Sequence, residues 1–279
     1  MSDFEGRGLA SSYAAGRRHI DKLIKSARRA DATPINMTVS WLIVTLNRRQ
    51  EIGDCFLRNK SNAGCAADEI VWVDNGSTDG MADFARSQRP DKLILHGKNL
   101  GCSKAMNIGM AACSSEWIMT MVCQCDAPDN WLQILKQVAA SGSVDSVTLN
   151  DINPSLSDDR TFGEDEIISG HRCRNSIPFG NPMFKRSLLS SAGYYREDLG
   201  LYGWSDVEWC RRMQSRKIKS VMLMDKWCER VAVNQDWLIE REGNMIPYWR
   251  FKELEVADQK KHRIIERSEA ENYPYINPF

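Results

Sequence analysis

Asp74 opens the turn Asp74-Asn75-Gly76-Ser77-Thr78-Asp79-Gly80, directly after the apolar run EIVWVD. A carboxylate at such a place accepts hydrogen bonds from a base N–H or a ribose hydroxyl. The turn after it opens a helix whose first backbone N–H groups favour an anion. Taken singly, the same residues are equally an ordinary turn and cap. Thr45-Leu46-Asn47-Arg48 closes the run VSWLIVTL in a comparable way. A third segment, Asn99-Leu100-Gly101-Cys102-Ser103-Lys104-Ala105-Met106-Asn107-Ile108-Gly109, sets Lys104 and Asn107 one helical turn apart. Together they could reach a diphosphate or the strand bearing Asp74. The segment is not G-x-G-x-x-G, and no Walker lysine motif occurs in the chain, so dinucleotide and P-loop chemistry lose support.

Two further stretches carry acids. IMTMVCQCDAPDN, residues 118–130, ends an apolar run in Cys123, Gln124, Cys125 and Asp126. In a strand the two cysteines point one way, and Gln124 and Asp126 the other. Cys-x-Cys lacks the spacing of zinc ribbons and no matching pair follows nearby, so the thiols read as buried, inert packing groups. Trp204-Ser205-Asp206-Val207-Glu208 puts two carboxylates in the first turn of a helix. Considered alone, Asp206 there serves the helix macrodipole.

These residues need a scaffold that gathers strand ends. VSWLIVTL, EIVWVD, KLILHG, EWIMTMV and VDSVTLN are short apolar runs suited to strands buried on both faces. Between them GMADFARSQ, CSKAMNIGMAAC and NWLQILKQVAA have helical patterning. Strand alternating with helix over more than 100 residues predicts an α/β fold, a mostly parallel central sheet flanked by helices. Ligands of such sheets bind at the carboxyl ends of the strands, where all the segments above fall. Residues 151–168 are acidic and turn-rich and read as a long loop, a functional lid or a solvated insertion. The stretch from SIPFGNPMFK to GWSDVEWCRRMQSR reads as loop, short helix and longer helix, and IKSVMLM as a strand.

The flanks differ in character. Residues 13–30 form an amphipathic pattern with Ile20, Leu23, Ile24 and Ala27 on one face and Arg18, Lys22, Lys25 and Arg29 on another. This reads as a docked helix with a solvated basic face, or as a basic arm for an anionic acceptor or membrane surface. The expected organisation is residues 1–36 as basic helix and linker, 37–225 as the main domain (37–130 and 131–225 as its halves), and 226–279 as a helical extension.

The 279-residue chain has a formal net charge of zero, so it is no general trap for nucleic acid. Nine scattered cysteines suit reduced thiols. No run is long enough to cross a bilayer, and the N-terminus lacks a secretory core. A cytoplasmic protein is the expectation.

VSWLIVTLNR, EIVWVDNGSTDG and NLGCSKAMNIG, in this order and spacing, resemble the donor-binding half of family-2-type inverting glycosyltransferases with the GT-A fold. GNPMFKRSLLSSAGYYREDLGLYGWSDVEWCRRM is similar to the acceptor half of that family, and the resemblance covers roughly residues 37–225. It implies a nucleotide-sugar donor, expected to be UDP-linked. Thr45, Asn47 and Arg48 match the first nucleotide-contact segment, Asp74 and Asn75 the base- and ribose-binding acid and its neighbour, and Lys104 and Asn107 the third segment. Asp206 matches the general base. The family's pair there is usually Glu-Asp, so Ser205 is a departure. Gln124-Cys125-Asp126 matches the Asp-x-Asp-like motif: Asp126 falls on the metal ligand, and Gln124 replaces the first acid while still able to hydrogen-bond a ribose hydroxyl.

The reaction this implies has clear demands. An inverting transferase takes a proton from an acceptor hydroxyl as that oxygen attacks the anomeric carbon, for which one carboxylate suffices. The departing nucleoside diphosphate gains charge that a divalent cation or fixed cationic groups must stabilise, and oxygen ligands suit Mn²⁺ or Mg²⁺. A third, histidine ligand is not evident in MLMDKWCERVAVNQ. The acceptor expected by resemblance is a saccharide or lipid-linked glycan. The basic N-terminal helix permits a polyanion such as modified DNA, but net neutrality and the lack of an aromatic-basic stripe argue against it. Two rival readings remain: a catalytically silent nucleotide-sugar-binding module, and nucleotidyl transfer, for which the Gly-rich, Lys-containing opening loop is missing.

Overall fold

The computed structural model describes residues 35–120, 125–150, 161–176 and 181–230. The basic helix expected at 13–30, Cys123, Gln124, residues 151–160 and everything beyond 230 lie outside the described residues.

The parallel core begins with β1 (Val39–Thr45), β2 (Glu69–Asp74) and β3 (Lys92–Leu95), joined by α1 (Arg49–Asn62) and α2 (Met81–Ser87). After α3 (Cys102–Ala112) the chain returns to the other side of β1 with β4 (Trp117–Thr120). Next come β5 (Cys125–Asp126), α4 (Trp131–Ala140), β6 (Ser146–Asn150), β7 (Thr161–Ile168), β8 (His171–Ser176) and β9 (Pro182–Lys185). The last described elements are α5 (Leu188–Ser191), α6 (Ser205–Ser215), β10 (Ser220–Trp227) and β11 (Glu229–Arg230). Nine strands form one sheet in the order β3-β2-β1-β4-β9-β6-β10-β8-β7, and β5 pairs separately with β11. Within the large sheet β8 and β9 run against the other strands.

Strand periodicity explains how helices cover both faces. Val39, Trp41 and Ile43 of β1 point into one core with Phe56 of α1, Phe84 of α2 and Trp131 of α4. Leu42 points the other way, with Val71 and Val73 of β2, into a core shared with Ile108 of α3 and Trp209 of α6. Aromatic rings set the first core: Trp41 lies 5.2 Å from Phe56 and 5.3 Å from Trp131, and Phe56 lies 4.8 Å from Trp72, centroid to centroid. Because β1 is flanked by β2 and β4, the strand order reverses there. Folds of this kind bind ligands at the carboxyl end of the strands, at such a switch point.

Three strands depart from the sequence expectation. Residues 161–168, expected within a loop, form β7 and pair antiparallel with β8, itself unread. HRCRNS alternates buried and exposed positions weakly, so it shows no apolar run to notice. β9, expected as loop, inserts between β4 and β6. It is four residues long and begins with proline, which a strand tolerates at its first position.

Candidate active site

The turn after β2 is braced from within. Asp74 is buried, and its Oδ1 accepts hydrogen bonds from the backbone N–H of Gly76 (3.2 Å) and Ser77 (2.9 Å). Its Oδ2 meets the Thr45 hydroxyl at 3.5 Å, a long contact that leaves acceptor capacity on that oxygen. Thr45 itself is buried and accepts from Trp72 Nε1 at 3.0 Å.

Asn47 and Arg48 adopt left-handed backbone conformations, φ 54° and 60°, which swing the chain from β1 into α1. Asn47 Oδ1 accepts from Thr78 N at 2.8 Å, and the Asn47 N–H donates to Ser77 Oγ at 2.8 Å. The two strand-end turns are thus stitched together. Arg48 folds back to Glu51 at 3.5 Å. Asp79, given no role in the sequence, ties two helices at once: Oδ2 accepts from Arg49 N and Oδ1 from Met81 N.

The third segment packs against the second without room for a side chain. A Cβ on Gly76 (φ +93°) would lie 2.5 Å from the Lys98 carbonyl carbon. Asn75 is buried and spends its amide on this turn, donating to Asn99 Oδ1 (3.0 Å) and accepting from Leu100 N (3.0 Å). Lys104 and Asp74 both act electrostatically on the buried His96, which follows β3. Burial holds the His96 imidazole below its ordinary value; Asp74 opposes this and Lys104 adds to it. His96 carried no signal in the sequence beyond its place after β3.

Asn107 stands differently from its expectation. It is buried, its Nδ2 donates to the Tyr195 carbonyl and to Glu197 Oε1 (each 2.9 Å), and its Oδ1 accepts from Tyr195 N at 2.9 Å. Both amide hydrogens and the oxygen serve the segment before α6. Its tertiary role is to clamp that segment, which a position one turn past Lys104 could not reveal.

α6 separates its two acids. Glu208 is buried and forms a two-pronged pair with Arg212, Nε to Oε1 at 2.9 Å and Nη2 to Oε2 at 2.5 Å. Arg212 also donates to the carbonyls of Ala192 and Tyr194. Glu208 is therefore a structural carboxylate. Asp206 is half-buried and its Oδ1 accepts from Val207 N at 2.8 Å, the helix-end role read from its sequence position. Burial first, and then the charge of Asp206, push Tyr195 and Cys210 well up. The same charge reaches Cys102 at the start of α3. Asp206 thus lies within electrostatic range of the start of α3.

Asp126 takes a different neighbourhood. Its Oδ1 accepts from Arg58 Nε at 2.9 Å, and its backbone pairs with Glu229 in β11. Asn59 brackets it, donating to the Cys125 carbonyl (2.8 Å) and accepting from Ala127 N (2.8 Å). Arg58 lies nine residues past Arg49, roughly 13 Å of helix rise from the end that meets the Asp74 turn. The described contacts join Asp126 to α1 and β11 and do not bring it to Asp74. Cys125 is buried, as expected; Gln124 lies outside the described residues.

Three comparisons bear on this arrangement. The family model described as glycosyl transferase family 2 matches residues 40–188, more than half of the chain. The chain belongs to glycosyl transferase family 2. The matched span takes in the three strand-end segments and Asp126 and stops short of Asp206. Among solved structures the chain resembles TarS residues 1–349 from S. aureus, at 17% identity and TM-score 0.53, over 70% of this chain and 60% of that one. It also resembles the same protein in complex with UDP-GlcNAc, at 16% identity and TM-score 0.54, over 71% and 60%. GalNAc-T7 with UDP, GalNAc and Mn²⁺ is similar at 14% identity and TM-score 0.54, over 72% of this chain and 45% of that one. The chain thus spans 60% or less of the length of these relatives, and at such identity the likeness shows the GT-A fold. No curated protein matches the chain in a sequence search.

Among the described residues no group of three or more His, Cys, Asp or Glu side chains could hold a metal. Asp126 is a hard oxygen donor with one oxygen on Arg58, which fits Mg²⁺ or Mn²⁺ held by one protein carboxylate together with water and phosphate oxygens. The thiols do not compete. Burial first of all pushes Cys55, Cys113 and Cys173 up to about 12, so they stay protonated and poor as ligands. Among the described residues no helix is long and apolar enough to cross a membrane.

Proposed function

We propose that the protein transfers a sugar from a nucleotide-sugar donor, UDP-linked, to an acceptor hydroxyl with inversion. The observation that carries this is the convergence of the family's strand-end segments with the start of α6 at one edge of the sheet. Asp74 Oδ2 accepts a hydrogen bond from the base or ribose, and Lys104 supplies positive charge toward the diphosphate. Asp206, oriented by the Val207 N–H, takes the acceptor proton. Glu208 is unsuited to that role because Arg212 occupies both its oxygens.

A divalent cation held by Asp126 would stabilise charge on the departing diphosphate. A saccharide or lipid-linked glycan is the acceptor class that family membership favours.

A thermal-shift series with nucleoside diphosphates, with and without Mn²⁺, tests the donor reading. Stabilisation by UDP that grows with Mn²⁺ supports it. Equal indifference to all bases refutes it. Nucleotide-sugar hydrolysis separates a working transferase from a silent binding module, for which turnover stays absent at every metal concentration.

A further inference from the structure

The donor turn and the base helix are joined by a short chain of side-chain hydrogen bonds. Asn75, beside Asp74, donates to Asn99 Oδ1 at 3.0 Å, and the same oxygen accepts from Gly101 N at 2.9 Å. Asn99 Nδ2 then donates to the Tyr202 hydroxyl at 3.2 Å, across 103 residues of sequence. Next to it the Cys102 N–H donates to the Leu201 carbonyl at 2.8 Å. The two loops touch closely: a Cβ on Gly101 (φ +90°) would lie 3.3 Å from Leu201 Cα. From Tyr202 the chain needs only Gly203 and Trp204, both left-handed (φ 85° and 65°), to enter α6 and present Asp206.

We infer that Asn99 and Tyr202 are positioning residues, which set the loop carrying Asp206 by reference to the donor turn. The inference rests on the transferase reading with Asp206 as base. The effect of Asn99 and Tyr202 passes through the placement of a carboxylate that works only within hydrogen-bond reach of the acceptor oxygen, where displacement by about 1 Å costs up to about 10²-fold in rate. The Asn–Tyr bond, with one end on the donor turn, couples Asp74–Asn75 and residues 200–206 reciprocally.

Tyr202→Phe removes one hydroxyl and keeps the ring, so it probes the bond without emptying the loop. In the full chain, with UDP-GlcNAc and Mn²⁺ as probe, donor hydrolysis should lose about tenfold in kcat, the scale of one lost hydrogen bond. Donor KM and UDP affinity should stay within about twofold of wild type. Amide exchange should quicken at residues 200–206 and stay unchanged in β1 and β2. Asn99→Ala should lower kcat similarly, and the double variant should lose no more than the worse single variant.

A Tyr202→Phe enzyme with unchanged kcat, a loss that falls on KM, or losses that multiply in the double variant would overturn the coupling. Asp206→Asn measured alongside keeps the two readings apart. If it retains turnover, the base reading fails and the exchange data alone judge the loop contact. Absence of wild-type turnover overturns the transferase reading on which the inference rests, and unaltered exchange at 200–206 in Tyr202→Phe overturns the contact itself.

Discussion

β2 carries a carboxylate at each end, and the two are treated in opposite ways. Glu69, at its start, is closed on every side: Lys92 Nζ lies 2.6 Å from Oε1, Ser114 donates from backbone and hydroxyl at 2.8 and 2.9 Å, and Ser40 donates as well. Burial alone would raise its pKa, but those partners outweigh it and hold it below the ordinary value. Asp74, at the finish, is braced on one oxygen and left with capacity on the other. The amino edge of the sheet uses its charge to hold the fold together. The carboxyl edge uses backbone donors to fix a carboxylate and leaves acceptor capacity on its other oxygen.

The sharpest way to break this contrast is at the carboxyl edge. Asp206→Asn should cut turnover by about 10³-fold, within the range general bases supply, while the thermal midpoint and UDP affinity barely move. Near-normal turnover in a steady-state assay would remove Asp206 from the chemistry. At the amino edge the effect should fall on stability instead. Glu69→Gln leaves Lys92 facing a neutral group and should cost about 2–3 kcal/mol in denaturant unfolding, with nucleotide affinity of the folded protein retained. Because Glu69 is held below its usual range, its contribution is full above about pH 4.5 and fades as pH falls through the lowered folded value. A Glu69→Gln protein should lose that part of the acid dependence.

Smaller effects sharpen the comparison. Asp126→Ala should abolish the gain in UDP affinity that Mn²⁺ confers, a change of about tenfold by calorimetry; an undiminished gain would place the cation elsewhere. The smallest expected effect belongs to His96. Its folded-state value is lowered, so below about pH 6.5 the unfolded chain binds a proton that the folded chain resists. Stability should therefore fall as pH drops from about 7 toward 5, and His96→Gln should flatten that slope in a pH series of unfolding curves.

Much of this could be read directly from the chain. The apolar runs at residues 39, 69, 92 and 117 announce buried parallel strands because both faces of each must meet a core. The segments that follow them announce the ligand edge because strand ends gather there. β9 escaped because four residues with a leading proline carry no period. β8 escaped because HRCRNS is a half-polar strand, and one of its two partners, β10, lies some fifty residues away. Among the site residues, Asp74 and Lys104 both act on His96, a residue that carried no signal of its own. Asn107 instead holds the Tyr195 segment, since an amide's choice of partner depends on which backbone groups reach it.

The sequence by itself determined the alternation of strand and helix, the membership of glycosyl transferase family 2, and the identity of the carboxylates at strand and helix ends. Periodicity and turn chemistry are local properties and survive reading in one dimension. Tertiary structure alone decided that Asp126 faces Arg58 and that Asn99 reaches Tyr202 across 103 residues. A side chain's role is settled by the donors and acceptors that folding brings within about 3 Å, and that distance has no counterpart in sequence spacing.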